Sequence, residues 1–257
     1  IAGAKDGQTV CQSLRRQNIE VRSQSDGHLC KREGDGLVLN ETTASVIHGA
    51  LLGDGSLSRH FDQIYQKYYG NPSFRQSNIT KDFVELVAQS LLGSTKRVKG
   101  PFEQKGSFGH YVSKPFYVIQ SLRHPELMSI FQDWYPEPNN YKKLIPDNVI
   151  VNPVSLMHWF LGDGFSYWVH KKYKNPKYNK YRRRIFFCTN CFRLEHLKML
   201  SQKIKDTFGL IVKPRYHQRN GKVGGTGYEM ELSETQIDKF YEIIGPPPVP
   251  SLAYKWK

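Results

Sequence analysis

Two apolar stretches of this chain end in the same four residues, Leu-Gly-Asp-Gly, at positions 52–55 and 161–164. Apolar residues before each one recur at helical spacing, so each motif closes a helix. A carboxylate at a helix C-terminus meets the negative end of the macrodipole, a placement that costs stability. A chain that accepts this cost twice should fold as two related halves, each presenting one aspartate.

The rest of the sequence repeats in the same way. After Gly55 come a basic, tyrosine-bearing connection, the stretch SFRQS, and a helix-patterned segment over 79–93 that closes on Gly93. After Gly164 come a basic loop, the stretch IFFCTNCF, and a helix-patterned segment over 193–209 that closes on Gly209. Glycine just past a helix end is a C-cap signal. Each half continues with a basic, strand-rich segment, 95–114 and 210–233, broken by turn signals into hairpin-like pairs. Each then finishes with a segment read as one helix, 115–134 and 234–245. Both halves read α-β-β-α-β-β-α, an α+β fold with pseudo-two-fold organisation. The expected division is an N-terminal extension over 1–39, a first half over 40–145 and a second half over 146–257.

The motif helices also have readable starts. Asn152 is placed as an N-cap with Pro153 at the first helical position, and Asn40 or Thr42 can cap the first helix. Gly49 and Gly53, one turn apart, leave a bare stripe that lets another helix backbone approach closely. Parallel packing of the two motif helices would bring Asp54 and Asp163 together at one end. Carboxylates that close repel unless a divalent cation lies between them, and Mg2+ takes such oxygen ligands. On duplex nucleic acid, that geometry serves metal-assisted phosphodiester hydrolysis.

Charge supports a polyanion partner. The formal net charge is +14. Between Phe165 and Arg184 there are eight Lys or Arg residues, no Asp or Glu, and five interleaved tyrosines and tryptophans. Basic groups neutralise phosphates, and tyrosine hydroxyls contact phosphates and base edges. No apolar run approaches the ~20 residues of a membrane span. Cys188 and Cys191 form a lone C-x-x-C, too few ligands for zinc, in a strand-like apolar run where they should pack as small hydrophobes. His48 and His158 are placed as helix-packing residues, since they precede the aspartates by several positions.

With these features in order, the sequence resembles the LAGLIDADG homing endonucleases. Ile47–Gly55 and Leu156–Gly164 carry the two motifs, as in single-chain, two-motif members of the mitochondrial group I intron type. KKLIPDN (142–148), the ending SLAYKW (251–256), FRQS and CTNCF resemble further stretches of that branch. The resemblance implies antiparallel sheets forming a saddle over DNA, a monomer, a long asymmetric double-stranded target, and an organellar origin. It implies Asp54 and Asp163 as metal-bridging acids, with the main chain at Gly53 and Gly162 beside them, and Mg2+ or another divalent cation as cofactor. Lys143 and Lys255 would polarise solvent or stabilise phosphate charge, the latter carried on a tail held extended by the prolines of GPPPVP. Gln76 and Asn190 would organise water.

The DNA-binding set implied for the first half is Arg59, Arg75, Lys96, Arg97, Lys99, Lys105 and Tyr111. The acid-free run adds Lys171, Lys172, Lys174, Lys177, Lys180, Arg182, Arg183 and Arg184, and the last strands add Lys213, Arg215, His217, Arg219 and Lys222. In the second motif His158 and Trp159 stand where the family has small residues, so the helices should pack asymmetrically, with Trp159 turned into one half's core. A group I intron maturase binding structured RNA, and a DNA binder without cleavage, share the basic surface. Retention of both aspartates and both lysines favours the enzyme.

Overall fold

The computed structural model describes residues 38–62, 67–91, 98–103, 114–137, 142–171, 180–217 and 227–257. Helix α1 spans Glu41–Leu52, started by the Asn40 side chain, which accepts a hydrogen bond from the Thr43 N–H at 2.8 Å. Strands β1 (Ser56–Asp62) and β2 (Lys67–Asn78) follow, then helix α2 (Lys81–Ser90), strands β3 (Lys99–Phe102) and β4 (Phe116–Gln120), and helix α3 (Leu127–Trp134). The order then recurs: α4 (Pro153–Asp163), β5 (Gly164–Lys171), β6 (Lys180–Cys188), α5 (Leu194–Phe208), β7 (Val212–His217), β8 (Gly227–Leu232) and α6 (Ile237–Ile244). A 3-10 turn, Glu234–Gln236, precedes α6, and a 3-10 segment, Pro250–Trp256, follows it.

Each set of four strands forms one antiparallel sheet, ordered β1-β2-β4-β3 and β5-β6-β8-β7. The repeat legible in sequence is thus a repeat of topology. Local signals behave as expected at several ends, but the helix expected over 79–93 stops at Ser90 with Leu91 as its C-cap, and Gly93 lies outside the described residues. Asn152 caps α4 in a full capping box with Ser155, with Pro153 in the first turn. Gly209 ends α5 in the left-handed conformation, φ 67°.

One element differs. The segment 115–134, read as a single helix, is strand β4 followed only later by α3. Phe116–Gln120 is a run of aromatic and β-branched residues that suits a pleated surface, and it pairs with β2 through Gln76↔Ile119 and Ser77↔Val118. Pro125 disfavours helix in the residue before it, so only the last eight residues form the helix, burying Leu127, Ile130, Phe131 and Trp134 at helical spacing. The tail also differs. Past the prolines the chain does not stay extended but winds into the 3-10 segment from Pro250.

The motif helices pack in parallel along the glycine stripe. A Cβ on Gly49 would sit 2.3 Å from the Ser155 carbonyl oxygen and 3.0 Å from the His158 Cβ, and one on Gly53 would sit 3.5 Å from the Asp163 side chain. The asymmetry expected from His158 is accommodated here, because the bulky residue of α4 faces the bare glycine of α1. Trp159 is fully buried and stacks on Phe187 at 4.1 Å between ring centroids. Hydrogen bonds tie the helices further. Asn152 donates to Ser45 Oγ at 2.7 Å, and the Ile150 N–H donates to His48 Nδ1 at 3.3 Å. Burial lowers both His48 and His158 to about 4, so both imidazoles are neutral packing groups.

Candidate active site

The parallel packing brings the two aspartates together where the helices end. Asp163 is the last residue of α4, and Asp54 lies two residues beyond the end of α1. A Cβ on Gly53 would sit 3.5 Å from the Asp163 side chain, and one on Gly162 would sit 3.8 Å from the Asp54 main-chain nitrogen. Burial, followed by the Asp54 charge, pushes the Asp163 carboxyl up to about 7, while Lys143 and Lys255 pull it down. Burial and a like charge nearby both disfavour the ionised form of the Asp163 carboxyl.

Both lysines converge on this centre from unrelated parts of the chain. Lys143, between α3 and α4, donates to the carbonyls of Leu51, Gly53 and Gly55 at 3.0, 2.6 and 3.0 Å. Lys255 donates to those of Phe160, Leu161 and Gly162 at 3.0, 2.7 and 3.5 Å. Leu51 and Phe160 each stand three residues before their aspartate, so the two arrangements are near copies. Each ammonium satisfies the orphan carbonyls of a helix end and offsets its negative dipole. The motif helices therefore tolerate terminal aspartates because a cation is built into each end. Burial holds Lys143 below its ordinary value and lowers Lys255 to about 8, and the neighbouring carboxylates partly reverse both effects.

The donor set suits a hard divalent cation. It consists of two carboxylates and main-chain oxygens, with no group of three His, Cys, Asp or Glu side chains among the described residues. The carbonyls of Gly53 and Gly162 accept from lysine, and a carbonyl has a second lone pair for a ligand. An ion held there would have its remaining positions open to water or another oxygen ligand.

The water-organising pair separates. Gln76 is buried on β2, its amide donating to the Ser77 carbonyl at 3.1 Å while its Oε1 has no partner among the described residues. Asn190 is exposed in the turn after β6. Strand register makes Phe187, not Asn190, the counterpart of Gln76, since Ser56↔Arg75 matches Phe165↔Phe186. Cys188 is half-buried at the end of β6, its thiol raised to about 11 by burial and by Asp163. Cys191 is exposed in the turn rather than packed in a strand.

The basic residues divide by strand parity. On the first sheet Phe74 and Gln76 face the helices, so Arg75 faces away, beside Lys99 and Gln120 in a pocket of about 630 Å3. On the second sheet Arg184 and Arg215 share an outward face with Phe165, Tyr167 and Phe186, lining a pocket of about 380 Å3. Glu231 binds both arginines, and Arg182 pairs with Glu234 at 3.0 Å. Lys213, opposite Glu231 in register, is exposed there too. Arg59 instead donates to the Gly70 carbonyl and lies over Tyr68. Arg183 falls on the helix side of β6, where it meets Ser166 and the tail. Its neighbours gave it the look of a DNA contact; alternation along the strand was the signal that it differs. For Lys171, Lys180 and His217 only the strand positions are described, and Lys96, Arg97, Lys105, Tyr111, Lys172, Lys174, Lys177, Arg219 and Lys222 lie outside the described residues.

Comparison with known proteins agrees with the fold. The model of the LAGLIDADG DNA endonuclease family matches residues 44–240. The uncharacterized protein MJ1098 of Methanocaldococcus jannaschii is 27% identical over 220 residues, covering 81% of this chain and 70% of that protein. Among solved structures, the homing endonuclease I-WcaI bound to its DNA recognition sequence superposes with a TM-score of 0.65 at 16% identity, over 86% of this chain and 88% of that one. I-DmoI, solved in complex with DNA and calcium, superposes at 0.45 and 13% identity, over 83% of this chain and 96% of that one.

Proposed function

This chain belongs to the LAGLIDADG DNA endonuclease family, and from that premise we propose that it is a site-specific homing endonuclease cutting both strands of a long, asymmetric DNA target. The observation that carries the reading is the pairing of Asp54 with Asp163, each flanked by a lysine capping its own helix. A protein that only held nucleic acid would need the basic sheet faces but not this centre.

Asp54 and Asp163 would hold divalent cations, Mg2+ in the cell, through their carboxylates and the adjacent main chain. When bound, such ions lower the pKa of water and offset charge on the scissile phosphate. The aspartates fix the position of that centre relative to the helices. Lys143 caps the end of one motif helix and Lys255 the end of the other, and each would supply a positive charge for one of the two antiparallel strands. Arg75, Lys99 and Gln120 on one sheet, and Arg184 and Arg215 on the other, face the major groove, where base pairs are distinguishable. The halves differ in these side chains, so the target is asymmetric and one chain suffices.

The test is incubation with a plasmid library of candidate intron-insertion sites, in Mg2+ and in EDTA. Linear product at one site in Mg2+ alone is expected. Absence of cleavage, together with accelerated splicing of a group I intron, would establish the RNA-processing reading instead.

A further inference from the structure

The activity proposed above needs two lysines at equivalent points, and the fold delivers them by unequal means. Lys143 lies in a connection fixed on both sides, with the Leu144 N–H donating to the Trp134 carbonyl at 2.9 Å and α4 beginning at Pro153. Lys255 lies in a seven-residue 3-10 segment, a structure with poor hydrogen-bond geometry that does not persist unaided. Its placement therefore depends on external anchors.

Three are visible. At its start, Ser251 donates through its main chain to Asp82 at 3.2 Å and through its hydroxyl to the same carboxylate, so α2 of the first half holds the tail of the second. At its end, Trp256 Nε1 donates to the Gly245 carbonyl at 2.8 Å. At Lys255 itself, the main-chain carbonyl accepts from Tyr241 Oη at 2.8 Å and from Arg183 Nη2 at 3.0 Å. Arg183 also donates from Nε to Ser166 Oγ at 2.8 Å, and its guanidinium lies 4.6 Å over the Tyr241 ring. One side chain thus joins β5, α6 and the tail.

Arginine suits the task because its planar fork fixes two acceptors at once and tolerates an aromatic face. It has no carboxylate partner among the described residues, unlike Arg182 and Arg184 on either side. In the first half the β1–β2 register shifts between Ser58 and His60, so no residue of β2 is paired at the level where Arg183 stands opposite Trp168. We infer that Arg183 is a positioning residue: it clamps the Lys255 main chain so that the ammonium reaches the end of α4 beside Asp163, and it sets the cleavage rate of one DNA strand only. The inference rests on the endonuclease reading for its strand effect, and not for the anchoring.

The experiment uses the full chain and a target duplex labelled on both strands, in single-turnover cleavage, with binding measured over a salt series. Arg183→Gln should slow the strand that Lys255→Ala slows, on the order of a hundredfold as for a displaced reacting group, while the other strand keeps its rate and a nicked intermediate accumulates. Lys143→Ala should slow the opposite strand. Arg183→Lys, which retains one donor, should recover part of the loss. Affinity and its salt slope should match wild type for Arg183→Gln. Equal slowing of both strands, or weaker binding with a shallower salt slope, would overturn the inference and make Arg183 a DNA contact. Release of C-terminal residues by carboxypeptidase reports the anchor without cleavage and should be faster in Arg183→Gln. Wild-type release rates in that variant would remove the clamp, whereas a wild-type protein that cuts no duplex would remove the proposed function.

Discussion

Lys143 Nζ lies 2.6 Å from the carbonyl oxygen of Gly53, the residue immediately before Asp54. An ammonium there caps the helix that presents the carboxylate and stands next to the charge that the carboxylate would recruit. Lys255 repeats the relationship at Leu161, two residues before Asp163. Replacing either lysine with methionine keeps the aliphatic stem and removes the donor. Each variant should bind target DNA within a few-fold of wild type and lose about 100-fold or more in single-turnover rate, the scale of one lost charge-stabilising donor. Normal rates in Lys255→Met would leave the tail a structural element alone.

Asp163 gives a pH signature in the protein without DNA. Its folded pKa, about 7, lies above the ordinary 3.8, so its contribution is fully present below about 3.8 and is lost as pH rises through 7. His48 and His158, lowered to about 4 from 6.5, contribute the opposite trend between those values. The comparison with Asp163→Asn cancels the histidines. That variant should match wild-type melting temperature near pH 4 and exceed it above pH 7. Calcium should raise the wild-type value at pH 8, but not at pH 5 and not in the variant. Parallel melting curves for the two proteins across this range would contradict the raised Asp163 carboxyl.

The glycine stripe yields a graded test. Gly49→Ala places a methyl 2.3 Å from the Ser155 carbonyl and should cost about 1–3 kcal/mol or more, as overpacking does. Gly53→Ala meets only ordinary contacts at 3.5 Å and should cost less. Thermal denaturation of the two variants side by side measures the order; equal losses would mean the helices are not seated on Gly49.

Salt dependence separates the arginines. Neutralising Arg75 or Lys99 should each reduce the slope of log affinity against log salt by about 0.9, one phosphate contact on B-DNA. Glu231→Gln frees Arg184 and Arg215 from their shared carboxylate and should steepen it. A slope unchanged by all three substitutions would place the duplex on another face.

Much of this was legible in the sequence, because it was written in local chemistry. The caps at Asn40 and Asn152, the left-handed Gly209 and the doubled motif are short-range signals, and repeated topology followed from their order. Residues 116–120 were not, since a short apolar run carries no period that separates strand from helix. Nor was the fit of Gly49 against His158, which exists only once two helices meet. Arg183 was hidden inside a basic run whose composition pointed to DNA, and only strand parity and the returning tail reveal its inward role. The face of Gln76 likewise depends on which side of β2 the helices cover.

The most direct measurement of the central claim compares wild type with Asp54→Asn and Asp163→Asn on one cleavable duplex, following double-strand cleavage in Mg2+ beside equilibrium binding. The account predicts that wild type cuts in Mg2+ and not in EDTA, and that both variants bind with near wild-type affinity while losing double-strand cleavage. A variant that still cuts both strands at the wild-type rate would contradict it.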